Sequence, residues 1–344
     1  MAQVGTVMGS ERPRSAEATH ERARLLRPVV GGLALLVALL GLIGTAIRDP
    51  RPHDIPVGIA GPPAAVQQMS TALGAAAPGA FRLTSYDSEA AARAALDSRA
   101  VDGVLVLGGG APRLIVAEAA GDGTTGVITA AFTGAFKAQG ATVTVETVHP
   151  FAGGDPHGLI LFFVVMAVLI STLVAQAALG LGREAGSATR LLVAIAFAVL
   201  AGPAAMGTAA WITGGYGSGF WGAAALVALA SAAVGVVMAG SVRLLGAAGF
   251  ALAALVIVLV DLVSSGGPVG SQLLPDFYRW VAPWMPAGEL YGAMRGALYF
   301  DGAGVGRPVL VLGGWLLGGL VLLLLGELLA RRRHPASPAT MPAQ

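Results

Sequence analysis

Six runs of 18 or more apolar residues with almost no charge dominate the chain, at 29–47, 158–181, 191–212, 221–241, 244–263 and 308–330. Each is long enough to cross the hydrocarbon core of a bilayer as a helix. With 55% hydrophobic and 12% charged residues and a mean hydropathy of +0.74, the chain lies far from soluble composition and reads as a membrane protein. Two acids interrupt the runs, Asp261 in the fifth and Glu327 in the sixth, each close to an end. The Gly and Ala content of the spans, as in "WGAAALVALASAAVGVVMAG", suits close helix packing without bulky side chains between backbones.

Orientation follows from where the arginines fall, because short cytoplasmic loops collect positive charge. Arg12, Arg14, Arg22, Arg24 and Arg27 precede the first span; Arg183 and Arg190 stand between the second and third; Arg243 lies between the fourth and fifth, and Arg331, Arg332 and Arg333 follow the sixth. If the spans alternate, all are on one side, which places both termini in the cytoplasm. Arg48 and Arg51 oppose the rule but are outnumbered across the first span. The first run, 29–47, is long for a signal core and reads as an uncleaved anchor. Before it, residues 1–28 form a cytoplasmic segment whose "AEATHERARLLR" has the pattern of an interfacial amphipathic helix; after the last span, 331–344 is a basic, disordered tail.

Between the first two spans, 48–157 is long enough for a domain of its own and falls outside the cell in this topology. Its pattern alternates: "IPVGIAG" as a strand, 63–73 as a helix, "FRLTSYD" as a strand, and "SEAAARAALDSRA" as a helix with Ser88 as N-cap. "VDGVLVLGG", "PRLIVAEA" and "ATVTVETV" read as further strands, with a helix over 124–139 before the last. The fold expected is therefore an α-helical bundle of six transmembrane helices with an inserted extracytoplasmic α/β domain. "GDGTTG" could cradle an anion on backbone N–H groups, though a turn with a helix cap is the better reading.

The other unusual stretch is "LLPDFYRWVAPWMPAGELYGAMRGALYFDG" at 273–302, where a plain loop between the fifth and sixth spans would suffice. Leu273, Phe277, Trp280, Val281 and Trp284 recur at helical spacing and form one apolar stripe, with Asp276 and Arg279 off it. Pro283 and Pro286 break that helix, and a second, over 287–299, carries Leu290, Met294, Ala297 and Leu298 on one side. Trp and Tyr favour the headgroup level, so the expectation is a helix–break–helix lying in or dipping into the outer leaflet. An anchoring belt for the sixth span is the plainer alternative.

Catalytic constellations are scarce. The five histidines are scattered; His149 and His157 flank the second span and could meet, but a metal site needs three or four ligands. There is no GxSxG elbow, and the single lysine, Lys137 in "AFKAQG", does not complete a P-loop. No cysteine is present, so thiolate metal sites and disulfides are excluded. No enzyme activity, cofactor, metal or nucleic-acid partner is expected. Asp261 is a functional candidate because intramembrane acids usually are, with snorkelling to the outer interface or pairing with Arg279 as the structural alternative.

The order of one span, an external α/β domain and five further spans, with "GGPVGSQLLPDFYRWVAPWMPAGELYGAMRGALYF" before the last, resembles the exporter-type permeases of type-2 ABC transporters, in the branch that includes phage-infection-protein-like membrane proteins. The positions carrying the likeness are Leu274, Pro275, Phe277, Trp280, Pro283, Trp284, Pro286, Glu289, Leu290 and Arg295. A second match is "GREAGSATRLL", similar to the segment that family members present to their ATPase; here it supplies Arg183, Glu184, Gly186, Ser187 and Arg190, with Ser187 where Thr is usual. "EAAARAALDSRAVDGVLVL" also resembles the family's segment after its second strand.

The resemblance implies two short outer helices near the exit of a substrate path, a dimer of six-span units and a separate ATP-binding subunit. The activity implied is outward movement of a hydrophobic or amphiphilic substrate across a bacterial plasma membrane. Two departures stand against it: the loop around Arg183–Arg190 is short, and no ATPase is fused to the chain. The alternative is a non-transporting envelope receptor or scaffold whose external domain binds a partner.

Overall fold

The computed structural model describes residues 14–181 and 185–333; Arg183 and Glu184, expected to face a partner, lie outside the described residues. The chain divides into two compact units at Arg48. The first holds α1, Arg14–Ile47, in which the expected interfacial segment and the first span are one uninterrupted 34-residue helix, not two elements. The stretch Val29–Ala46 within it is long and apolar enough to span a membrane.

The second unit opens with a five-stranded sheet. Strands β1 (Ile55–Ala60), β2 (Phe81–Tyr86), β3 (Gly103–Val106), β4 (Arg113–Ala117) and β5 (Thr144–Val148) lie in the order β2-β1-β3-β4-β5, and all neighbours are parallel except β3 with β4. Alternate residues of a strand point to opposite faces. Ile55, Val57 and Ile59 of β1 face helices α2 (Pro63–Ala76) and α4 (Asp122–Ala138), against Met69, Leu73, Ile128 and Phe132. Val104, Val106 and Ile115 face the other way, against Ala92 and Leu96 of α3 (Glu89–Asp97). Strand β3 is buried on both faces, which is why "GVLV" shows no alternation of polarity.

Helix α3 starts where expected, with the Ala91 N–H donating to Ser88 Oγ (3.2 Å). An alternating ring of charge ties it to the sheet: Arg93 bonds Glu89 (2.9 Å) and Glu146 (2.7 Å), and Arg113 bonds Glu89 (2.5 Å). The Arg93 hydrogen bond is the main influence holding the Glu89 and Glu146 carboxyls below their ordinary range, with Arg113 adding its charge.

The bundle comprises α5 (Leu159–Ala177), α6 (Ser187–Thr213), α7 (Phe220–Leu245), α8 (Ala247–Leu255) continuing through a wide π turn (Val256–Asp261) into α9 (Leu262–Ser264), and α12 (Gly306–Arg333). Together with α1 these give six helices long and apolar enough to cross a membrane. Helix α7 is central, packing on α5, α6, α8 and α12. Its small residues allow this: a Cβ on Gly240 would stand 2.7 Å from the Gly319 carbonyl oxygen, and one on Gly319 2.6 Å from the Val237 nitrogen. A buried Thr172–Ser231 hydroxyl pair (2.9 Å) joins α5 to α7. Gly246 alone separates the fourth and fifth spans, so Arg243, expected in a loop, occupies the last turn of α7.

Candidate functional site

The aromatic stretch folds as α10 (Asp276–Val281), a 3-10 turn (Ala282–Trp284) and α11 (Pro286–Tyr299), broken at Met285, whose backbone is extended. Pro286 opens α11, where its missing N–H costs nothing. The single stripe expected on the first helix is divided. Leu273 and Val281 are buried, whereas Phe277, Trp280 and Trp284 are exposed, at 56%, 72% and 64%. Leu273 and Trp284 lie outside α10 in 3-10 turns, so the helical spacing does not hold across all five positions, and within α10 Val281 is buried while Phe277 and Trp280 are exposed.

Helix α11 does not lie flat on the bundle. It inserts among α5, α7 and α12, with Ala287, Leu290, Ala293 and Met294 fully buried. Tyr291 Oη donates to the Gly158 carbonyl at the start of α5 (3.2 Å). Leu274 is buried and Pro275 precedes α10, so the chain is already pinned before the exposed aromatics begin.

Asp261 takes neither partner that the sequence suggested. It is fully buried, and its Oδ1 accepts the Ala287 N–H (2.7 Å) in the first turn of α11. Arg279 instead bonds Asp276 (2.6 Å) and approaches Asp54 (3.9 Å). Its carboxyl oxygen thus supplies an acceptor to one of the N–H groups left unpaired in the first turn of a helix. Asp261 Oδ2 has no hydrogen-bond partner, and the wide turn that presents the residue is an arrangement often found at functional positions.

Above α11 the α/β domain and the bundle enclose a polar cavity of about 330 Å³. Arg99 and Asp102 come from the turn after α3, Gln272 and Arg279 from the segment before α11, Glu289 and Arg295 from α11, and Arg307 from α12. Arg99 sits at φ 62°, a left-handed position beyond the end of α3 where glycine is usual, at a cost of roughly 1–2 kcal/mol. Its guanidinium donates to the Gly292 carbonyl (2.8 Å) and lies over the Phe300 ring (5.3 Å). Arg295 donates to the Ala120 carbonyl and stacks on Tyr291 (4.5 Å), and Arg307 bonds Glu289 (2.8 Å) and the Pro283 carbonyl (2.8 Å).

Gln272 links the walls, accepting from Thr124 (3.2 Å) and donating to Asp102 (3.3 Å). Removal from bulk water, with Arg295 beside it, lowers Arg99 to about 10, so it stays charged at neutral pH. The same loss of solvation raises Asp102 above the ordinary carboxylate range, against the pull of Arg295 and Arg99. The folded state therefore holds this proton more tightly than the unfolded chain, and ionising Asp102 opposes folding as pH rises through the unfolded value of about 3.9. Asp102→Asn is expected to be more stable than wild type at pH 7, with the gain in thermal midpoint vanishing by about pH 3.5; melting both proteins over that pH range checks it.

At the other end of the bundle, Ser187 Oγ donates to Glu327 (2.7 Å), which also accepts from Arg243 (3.0 Å). Arg190 is fully buried and donates to the Gly180 carbonyl (2.9 Å), which ties the first turn of α6 to the segment just after α5. Gly186 is exposed and Ser187 partly so. His149 and His157 do not meet: the first bonds Asp97 (2.8 Å) and the second lies 3.5 Å from Asp122. The "GDGTTG" turn is occupied by protein, its Gly123 N–H donating to the Pro268 carbonyl (3.3 Å).

The polar cavity escaped the sequence reading because its walls come from five separated segments. Among its charged lining residues the sequence singles out Glu289, Arg279 and Arg295, for other reasons. Among the described residues no group of three His, Asp or Glu side chains is placed to hold a metal ion. No protein-family model, curated protein or solved structure matches the chain.

Proposed function

We propose that the chain is the permease subunit of an ABC-type exporter in a bacterial plasma membrane, with both termini cytoplasmic and the α/β domain outside. Two copies pair, a separate subunit hydrolyses ATP, and a hydrophobic or amphiphilic substrate moves outward; the chain itself catalyses no reaction. The observation that carries this reading is the insertion of α11 among α5, α7 and α12 beneath a charged cavity. An anchor needs no broken helix driven into its bundle, whereas an exit gate needs an element that fills the path and meets a polar chamber at its outer end.

The resemblance of the 273–302 and 182–192 segments to type-2 permeases supports the same reading. At the cytoplasmic end, Gly186 and Ser187 offer surface to a docking subunit, next to Glu184. Purification of the tagged chain from native membranes in mild detergent is expected to recover a P-loop ATPase in near-equal amount, lost on Glu184→Ala. Recovery of the chain alone, or with envelope proteins only, would overturn the transport reading in favour of a receptor or scaffold.

A further inference from the structure

The polar cavity has an apolar neighbour with which it shares Arg307. Arg307, in the first turn of α12, also lines a second recess of about 720 Å³ whose remaining walls are apolar, among them Trp284, Leu310, Gly314, Trp315 and Leu322. From Arg307 to Leu322 this recess follows α12 for about 22 Å at 1.5 Å per residue. Trp315 and Leu322 also border a further apolar recess of about 280 Å³ against α7 and α8. Trp315 Nε1 donates to the Trp284 carbonyl (2.7 Å), which fixes the indole at the recess wall.

Glycine opens this space. A Cβ on Gly314 or Gly318 would meet nothing within 4 Å, whereas one on the adjacent Gly319 would run into α7. At the polar end, Arg279 Nε, Arg295 Nε and His53 Nδ1 are buried without a hydrogen-bond partner. Four arginines (Arg99, Arg279, Arg295, Arg307) face three acids (Asp54, Asp102, Glu289), and Asp54 is 76% exposed at the rim. Buried donors left unpaired cost free energy, and a guanidinium meets phosphate or carboxylate oxygens with well-matched geometry.

A small soluble anion would leave the recess empty, and a neutral fat would leave the donors unpaired. We propose that the two spaces form one site for a single-chain anionic amphiphile, its acidic head among Arg279, Arg295 and Arg307 and its acyl chain in the recess along α12. The site deepens the transport reading by naming a class of cargo and rests on it for that role, but binding is a property of this chain alone.

The test uses the full-length chain, delipidated in neutral detergent, and native mass spectrometry. The probes are palmitoyl lysophosphatidic acid, glycerol 3-phosphate as head alone and monopalmitoylglycerol as chain alone. The complete amphiphile is expected to bind at least about tenfold more tightly than either half. Arg307→Gln and Gly314→Phe should each weaken it at least about fivefold, while Gly313→Phe, whose added side chain meets open space outside the recess, should not. Equal binding of either half, or unchanged affinity in Gly314→Phe, would overturn the proposal; the wild-type probe series decides it even if Arg307→Gln fails to fold. No ATPase is in the assay, so loss of the transport reading and loss of this site are separate results.

Discussion

Gly319→Leu is expected to destabilise the bundle strongly. Its first side-chain atom would stand 2.6 Å from the Val237 nitrogen, and the obstacle is backbone, which cannot swing aside as a side-chain tip can. The two most extensively packed helices, α7 and α12, would have to separate along the contact that Gly240 shares. Overpacking of this kind costs about 3 kcal/mol or more, a drop in thermal midpoint on the order of 6–12 °C. Gly313→Leu on the same helix meets nothing within 4 Å and should melt near wild type. Parallel melts of the two variants in detergent give the result, and equal midpoints would refute the packing argument.

Asp261→Leu should release α11. The substitution removes the buried acceptor for the Ala287 N–H, leaving that donor without a partner at a cost of about 1–3 kcal/mol. Asp261→Asn keeps an amide oxygen for the same N–H and should behave nearly as wild type. Because the chain has no cysteine, a single Ala293→Cys, at a fully buried position of α11, reports insertion through maleimide labelling. Labelling is expected to rise about tenfold or more with Asp261→Leu, in line with the free-energy loss, and little with Asp261→Asn. Unchanged labelling in both would mean that α11 is held by its apolar contacts alone.

Local pattern made the α/β domain legible. Its strands and helices follow from their own residues, β3 from a short continuous apolar run and not from alternation, and Ser88 marks a helix start without reference to anything distant. Spans were legible for the same reason, since hydropathy is a property of the segment. Boundaries set by neighbours were not: α1 runs through the expected join at residue 28, and α7 carries Arg243 to within four residues of the next helix.

Of the site, the break between α10 and α11 could be read from Pro283 and Pro286, but its depth could not. Leu290 and Met294 form an apolar stripe that suits lipid or bundle equally, and only the small side chains of α7 decide for the bundle. Arg99 reads as a solvated helix end until the sheet brings it to Gly292, 193 residues away. Asp261 shows the converse: an isolated acid stands out in an apolar run, yet its partner is a backbone N–H, which no residue type advertises.

Helix α11 is fastened at both ends to different parts of the molecule. Phe300, just beyond its last turn, is part of the apolar layer between the sheet and α3, while its first turn is keyed to Asp261 at the wide turn of the fifth span. A 14-residue helix is a stiff rod of about 21 Å. Tilting the sheet would push or pull that rod along its axis, and the load would arrive where the span's hydrogen-bond ladder is already loosened. A tilt of the sheet would therefore be felt at the wide turn of the fifth span.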